Sequence, residues 1–369
     1  MATTPMPRAS VAEIPPYVPG RTPVSRPGFT SYKLSSNENP YPPLPGVLQA
    51  AQGALEQLNR YPDMGNTALY GALASRLGVA TDQLALGTGS VGLLFHLVQA
   101  FAGPGDEVVH AWRSFEAYPI AIAAAGAKSV AVGLTAAGEH DLEALAEAVT
   151  ERTRVLIVCT PNNPTGTAVT QTALRTLIER VPPHVLVLVD EAYVEFVRMQ
   201  DAVDGLALQR EFPNVVSLRT FSKAYGLANL RVGYAITTPE IALPLRAVAT
   251  PFGVSTVAQA AAVASLKAEQ ALMGRVDALV RERSRVLAGV REAGWQLPDA
   301  QGNFCWFPFP GDADATARFV AAAAAVGISV RPFAGEGVRV SVGEQAGNDR
   351  VIELARRVAD EFGVRSLRS

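Results

Sequence analysis

Ser217-Leu-Arg-Thr-Phe-Ser-Lys-Ala-Tyr-Gly-Leu-Ala-Asn-Leu-Arg-Val-Gly233 changes character within a few residues. Its lead-in, Asn214 to Leu218, reads as an apolar strand; hydroxyls, one lysine, a glycine and an arginine follow. A lysine just past a buried strand is costly to desolvate, and a desolvated amine is a nucleophile able to form a Schiff base. Thr220, Ser222 and Arg231, close to Lys223 in the chain, are phosphate-binding groups. An amine nucleophile beside a phosphate cradle fits pyridoxal phosphate, which carries an aldehyde and a phosphate. Taken alone, the stretch fits a strand-end loop with a solvated Lys223 equally well.

Outward from this stretch, strand and helix alternate. Apolar strands are expected at residues 84–87, 108–111, 129–132, 154–160, 185–189, 215–218 and 232–236. Helices are expected at 90–101, 116–125, 141–149 (capped by Asp141) and 170–180, after earlier ones at 45–58 and 67–77. Continuous apolar strands separated by helices predict an α/β fold, a mainly parallel central sheet covered by helices. Beyond about residue 250, long helical patterns at 257–266 and 271–293 precede short strands at 304–309, 329–332 and 338–342, with helices at 315–326 and 348–361. That rhythm predicts a smaller α+β domain. The division expected is a proline-rich arm over 1–33 packing with the small domain, a large domain over 34–245 and a small domain over 246–369. A hinge is expected near 238–256.

Composition sets bounds. The 369 residues are 49% apolar and 18% charged with net charge −2, a globular balance that gives no broad electrostatic case for nucleic acid or anionic membrane. Cys159 and Cys305 are too few for a disulfide framework or a four-thiolate metal site, and His96, His110, His140 and His184 show no metal-ligand spacing. Met1 to Ser10 lacks an apolar targeting core and no apolar run reaches membrane-spanning length, so a cytoplasmic address is expected.

Gly87-Thr-Gly-Ser-Val-Gly92 matches G-x-G-x-x-G between a strand and a helix, the context of a dinucleotide fingerprint. A nicotinamide or flavin oxidoreductase would need an acid at the carboxyl end of the next strand. That strand ends Val108-Val-His-Ala-Trp112, with Asp106 and Glu107 at its start. The dinucleotide reading is therefore set aside. Gly89, Ser90 and Val91 at a helix N-terminus still suit a phosphate, because free N–H groups and the helix dipole meet there.

Two further strand ends carry chemistry. Cys159-Thr-Pro-Asn-Asn-Pro-Thr-Gly166 supplies more polar groups than a tight turn needs. Val185-Leu-Val-Leu-Val-Asp-Glu-Ala-Tyr-Val194 puts Asp190 at the end of an apolar strand, where a carboxylate needs a partner. A pyridinium nitrogen is a suitable one; a helix cap is the plainer role.

PNNPTG, DEAYVEF, TFSKAYGLANLRVGY and VRVSVG in this order resemble the fold-type I pyridoxal-phosphate aminotransferases of class II, within them the histidinol-phosphate and aromatic branch. The resemblance runs from Tyr32 to the C-terminal helix. It implies that Lys223 forms the internal aldimine and then moves the proton, Asp190 pairs with the pyridine nitrogen, and Tyr193 and Asn163 bond the ring oxygen. It implies that Phe115 stacks on the ring, and that Gly89, Ser90, Val91, Thr220, Ser222 and Arg231 hold the phosphate. Tyr61 would reach a partner's phosphate across a two-fold interface, making a homodimer. Arg339 would bind the substrate carboxylate, with Asn37 as a backbone contact and Arg331 either near the substrate's side-chain end or exposed. Asn229 stands where relatives commonly have glycine. Amino acid and 2-oxo acid substrates follow, with 2-oxoglutarate and glutamate as the second pair. For the first, likeness to the phenylalanine-type enzymes favours aromatic amino acids, with histidinol phosphate the alternative.

Overall fold

The computed structural model describes residues 4–12, 14, 17–20, 22–23 and 29–364. A seven-stranded sheet forms its centre: β1 (Leu84–Thr88), β2 (Glu107–Trp112), β3 (Lys128–Gly133), β4 (Thr153–Cys159), β5 (Leu186–Asp190), β6 (Val215–Thr220) and β7 (Val232–Ile236). The spatial order is β1-β7-β6-β5-β4-β2-β3. Within it β7 is antiparallel to both neighbours, and all other pairs are parallel.

The continuous apolar character of the strands has its cause in two-sided cover. Val155 and Ile157 of β4 pack with Leu93, Leu94 and Tyr118 from the helices Gly89–Phe101 and Ala117–Ala125. Leu156 and Val158 pack on the opposite face with Leu174, Leu177 and Ile178 of Gln171–Arg180. Caps set helix starts where side-chain oxygens can accept free N–H groups: Asp141 accepts from the Ala144 N–H, and Thr170 from that of Ala173.

The smaller sheet joins β8 (Phe304–Pro308), β9 (Arg331–Phe333) and β10 (Gly337–Ser341) in the order β9-β10-β8, antiparallel throughout. The single strand expected at 329–332 is two short ones. Ile328–Ser329 pairs in parallel with Tyr32–Lys33, and Val330 turns inward before Arg331–Phe333 joins β10.

The core of the large unit also takes in residues beyond 246. The helix Thr256–Lys267 and the first half of Glu269–Glu292 share a core with Leu69, Leu73 and Phe221, whereas Val286, Leu287 and Val290 join Phe307 and Phe319. Nor is 238–256 loose throughout: Pro239 opens the helix Pro239–Ala247, whose Leu245 enters the core below β1. Arm residues touch both units. Arg8 donates to the Ala124 carbonyl of the large unit, while the Pro19 carbonyl accepts from Arg331. Among the described residues no helix is long and apolar enough to cross a membrane.

Candidate active site

Register brings Cys159, Asp190 and Leu218 level on β4, β5 and β6, so the loops after these strands leave from one edge. Ligands bind at such an edge in open α/β sheets. Because β7 runs the other way, it begins where its neighbours end, and Arg231 just ahead of it arrives at the same place. One cavity there is lined by Ser90, Phe115, Asn163, Asp190, Lys223 and Arg339. Val91, Tyr193, Thr220, Ser222, Arg231 and Arg331 also reach it.

Asp190 is buried, and no cation lies within salt-bridge reach of it among the described residues. Its oxygens accept from the Tyr118 hydroxyl at 2.8 Å and the Ala192 N–H at 3.2 Å. Burial pushes its pKa up to about 6, against the pull of the Tyr118 hydrogen bond. Lys223 is half-buried, and its Nζ donates to the Ser36 carbonyl at 3.4 Å. Desolvation, helped by Arg339 and Arg231, brings its pKa down to about 7, so a neutral amine is available near neutral pH. Tyr193 lies with its ring centroid 5.6 Å from that amine, and its hydroxyl accepts from Asn37 Nδ2 at 3.0 Å. The hydroxyl proton is thereby left to donate elsewhere.

The glycine motif builds an anion cradle through close approach. At Gly233 of β7, a Cβ would stand 2.4 Å from the Ser90 backbone nitrogen, so glycine there lets the helix N-terminus meet the strand. Gly89 has φ +77°, and a Cβ on it would lie 2.5 Å from Arg231 Nη2. Arg231 itself takes φ 56° and donates to the Ser222 hydroxyl at 3.2 Å and the Ala228 carbonyl at 2.9 Å. Thr220 Oγ1 accepts from the Ser222 N–H at 3.1 Å. A guanidinium, hydroxyls and the N–H groups opening a thirteen-residue helix therefore converge.

Arg339 is buried, bonded to the Asn163 Oδ1 and to the Ser35 carbonyl, while its Nε has no partner. A buried guanidinium with no carboxylate and an unused donor is suited to an anionic ligand. Of the expected residues, Asn37 does not line the cavity. Asn37 lies behind the wall: its N–H donates to Ser341 Oγ, its carbonyl accepts from Asn303, and its amide supports Tyr193. Ser35 and Ser36 line the cavity in its stead. Arg331 is not exposed; it is buried and paired with Glu116 at 2.6 Å. Tyr61 is outside the cavity, 82% exposed and stacked on Phe252 at 4.7 Å.

Tyr118 and Glu116 are the functional positions that strand-end reading passes over. A signal was present for the first: Tyr118 follows Phe115 by three residues, one helical turn, and their rings meet edge to face at 5.7 Å. Glu116 carries no such signal, since its partner lies 215 residues away.

A cradle for an anion, a depressed lysine, an unpaired carboxylate and a carboxylate-ready arginine on this fold define a class of enzyme. The chain matches the family model of class I and II aminotransferases over residues 31–354 and belongs to that family. It is 54% identical to an aromatic amino acid aminotransferase of Streptomyces avermitilis, covering 98% of this chain and 99% of that one. Identity to the aromatic amino acid aminotransferase of Streptomyces coelicolor is 53%, over 98% of each. Among solved structures it resembles a histidinol-phosphate aminotransferase from Sinorhizobium meliloti in complex with pyridoxal-5'-phosphate, with TM-score 0.83 and 28% identity over 89% of this chain and 91% of that one. The fold is accordingly that of a fold-type I transferase, and the chain is an aminotransferase.

Proposed function

We propose that this aminotransferase uses pyridoxal phosphate to transaminate aromatic L-amino acids, phenylalanine and tyrosine, with 2-oxoglutarate as acceptor in a ping-pong reaction. The observation that carries the reading is the meeting of Lys223, Asp190, the Arg231 cradle and Arg339 in one cavity. The donor set fits the cofactor group by group. A buried carboxylate without a cation matches a protonated ring nitrogen. The helix N-terminus with Ser222 and Arg231 suits a phosphate, Tyr193 and Asn163 suit the ring oxygen, and Phe115 on the cavity wall would stack on the ring. Bound there, pyridoxal phosphate would supply an aldehyde for the amino group and a ring that withdraws electrons.

The protein's own work follows from its residues. Arg339 binds the substrate α-carboxylate and fixes the Cα–H direction. Asp190, ionised above about pH 6, would keep a proton on the ring nitrogen of the bound cofactor. Lys223, its pKa lowered to about 7 and so partly neutral there, is the base that takes the proton from the substrate Cα. For the side chain, the names of the relatives at 53–54% identity support an aromatic donor, and Tyr17 and Phe333 on the wall offer ring surfaces to it. A homodimer is part of the reading: the exposed Tyr61–Phe252 stack is an aromatic surface suited to a second copy.

Borohydride reduction of the yellow holoprotein, followed by peptide mapping, should leave a pyridoxyl group on Lys223. A label on another residue, or none, would refute the assignment. In the same preparation, single-turnover bleaching should be faster with phenylalanine and tyrosine than with histidinol phosphate; the opposite order would overturn the substrate choice.

A further inference from the structure

Arg331 and Arg339 are register partners on β9 and β10, both buried and both on the cavity wall. Directly opposed residues on one sheet face have Cβ atoms about 5 Å apart, and like charges there repel. Each arginine is nevertheless kept, and each meets a different fate. Among the described residues Arg339 has no carboxylate partner, and its Nε is unpaired. Arg331 is engaged: Nη2 donates to Glu116 Oε2 at 2.6 Å, Nη1 to the Pro19 carbonyl at 3.2 Å, and its guanidinium lies 5.4 Å from the Phe333 ring. Arg113 also sits near Phe333, 5.3 Å from the ring, and is held by Glu336. The cavity wall here is thus an aromatic ring beside guanidinium groups that are already paired with carboxylates.

We propose that Glu116 is a specificity-determining residue: by occupying Arg331 it makes the side-chain end of the cavity neutral, admitting uncharged rings and disfavouring anionic side chains. The inference rests on the assignment of Arg339 to the α-carboxylate and deepens the aromatic reading. An aromatic side chain needs no exchange of partners to lie against Phe333. A side-chain carboxylate there gains Arg331 only by displacing Glu116, and it faces that like charge as it enters. The second pair of the reaction, glutamate and 2-oxoglutarate, meets the same obstacle and is accepted at this cost. Glu116 comes from the large unit, at the start of Ala117–Ala125, and Arg331 from the small sheet, so the neutral end exists only when both face each other.

The test is the ratio of kcat/KM for a donor with an anionic side chain to that for phenylalanine, measured in the holoenzyme with glutamate and with aspartate. Glu116→Gln should raise both ratios about tenfold or more, equivalent to about 1.4 kcal/mol. Glu116→Asp, which keeps the carboxylate, should stay near the wild-type ratios. In E116Q/R331Q the cation is removed as well, and the ratios should fall back, making the effect a coupling between the two residues. A purely structural role would lower all donors together and leave the ratios where they were. Ratios within twofold of wild type in Glu116→Gln, or ratios still raised in the double variant, would overturn the proposal. A wild-type enzyme that does not bleach with phenylalanine would defeat the aromatic reading instead, whatever Glu116→Gln does to kcat/KM for glutamate and aspartate.

Discussion

Removing one oxygen atom from Tyr118 should change the protonation of a residue it touches. In Tyr118→Phe the buried ring is kept and Asp190 loses the hydroxyl that donates to it at 2.8 Å, retaining only the Ala192 N–H. A hydrogen bond to a charged group contributes about 1.5–3 kcal/mol. At 1.36 kcal/mol per unit, the Asp190 pKa should rise by about one to two units from its value near 6. The sign for stability follows. Asp190 titrates higher in the folded chain than at its ordinary 3.8, so the folded state binds the extra proton. Folding is therefore most favoured below pH 4, and this group's contribution is lost as pH rises towards 6. In the variant the loss continues to about pH 7 or 8. Titration of carbon-13-labelled aspartate in the apoprotein reads the shift directly. The difference in unfolding midpoint between wild type and variant should be larger at pH 8 than at pH 5. A titration that stays within half a unit of wild type, with a pH-independent midpoint difference, would refute the role given to Tyr118.

Gly89→Ala should weaken cofactor binding tenfold or more, read from absorbance titration of the apoprotein, because its Cβ would meet Arg231 and φ +77° disfavours an L side chain. Affinity within twofold of wild type would mean Arg231 is not held where the cradle needs it. The protein should sediment as a dimer, and Tyr61→Phe should raise the cofactor dissociation constant several-fold by removing a donor from the partner's phosphate. A fully active monomer would contradict that assignment.

Much of this site was legible because its chemistry sits at strand ends. A buried strand is apolar by necessity, so Asp190 and Lys223 stand out where Val189 and Leu218 stop, and adjacency of β4, β5 and β6 does the rest. The helix beginning at Thr67 was equally plain, ending at Gly78 in a left-handed cap. What sequence left open depends on long-range packing. That Asn37 supports Tyr193 rather than facing the cavity is decided by Ser341 and Asn303, some three hundred residues on. The fate of Arg331 was open between two roles because the loop that supplies Glu116 belongs to a different sheet's surroundings. Thr256–Lys267 reads as a good helix whichever unit it joins, and only the tertiary core containing Leu69 and Leu73 decides it.

The reversed direction of β7 bears on the order in which the chain can assemble. Its antiparallel insertion between β1 and β6 places Arg231 against Gly89, from chain segments that no local contact brings together. Contacts of such sequence separation form late, after the loops between them have closed. The phosphate cradle is therefore complete only once β1, β6 and β7 are all seated. A cofactor that binds there stabilises the finished sheet and no earlier species, by an amount set by its concentration over its dissociation constant. Cofactor capture would then act as a ratchet on folding as well as the beginning of catalysis.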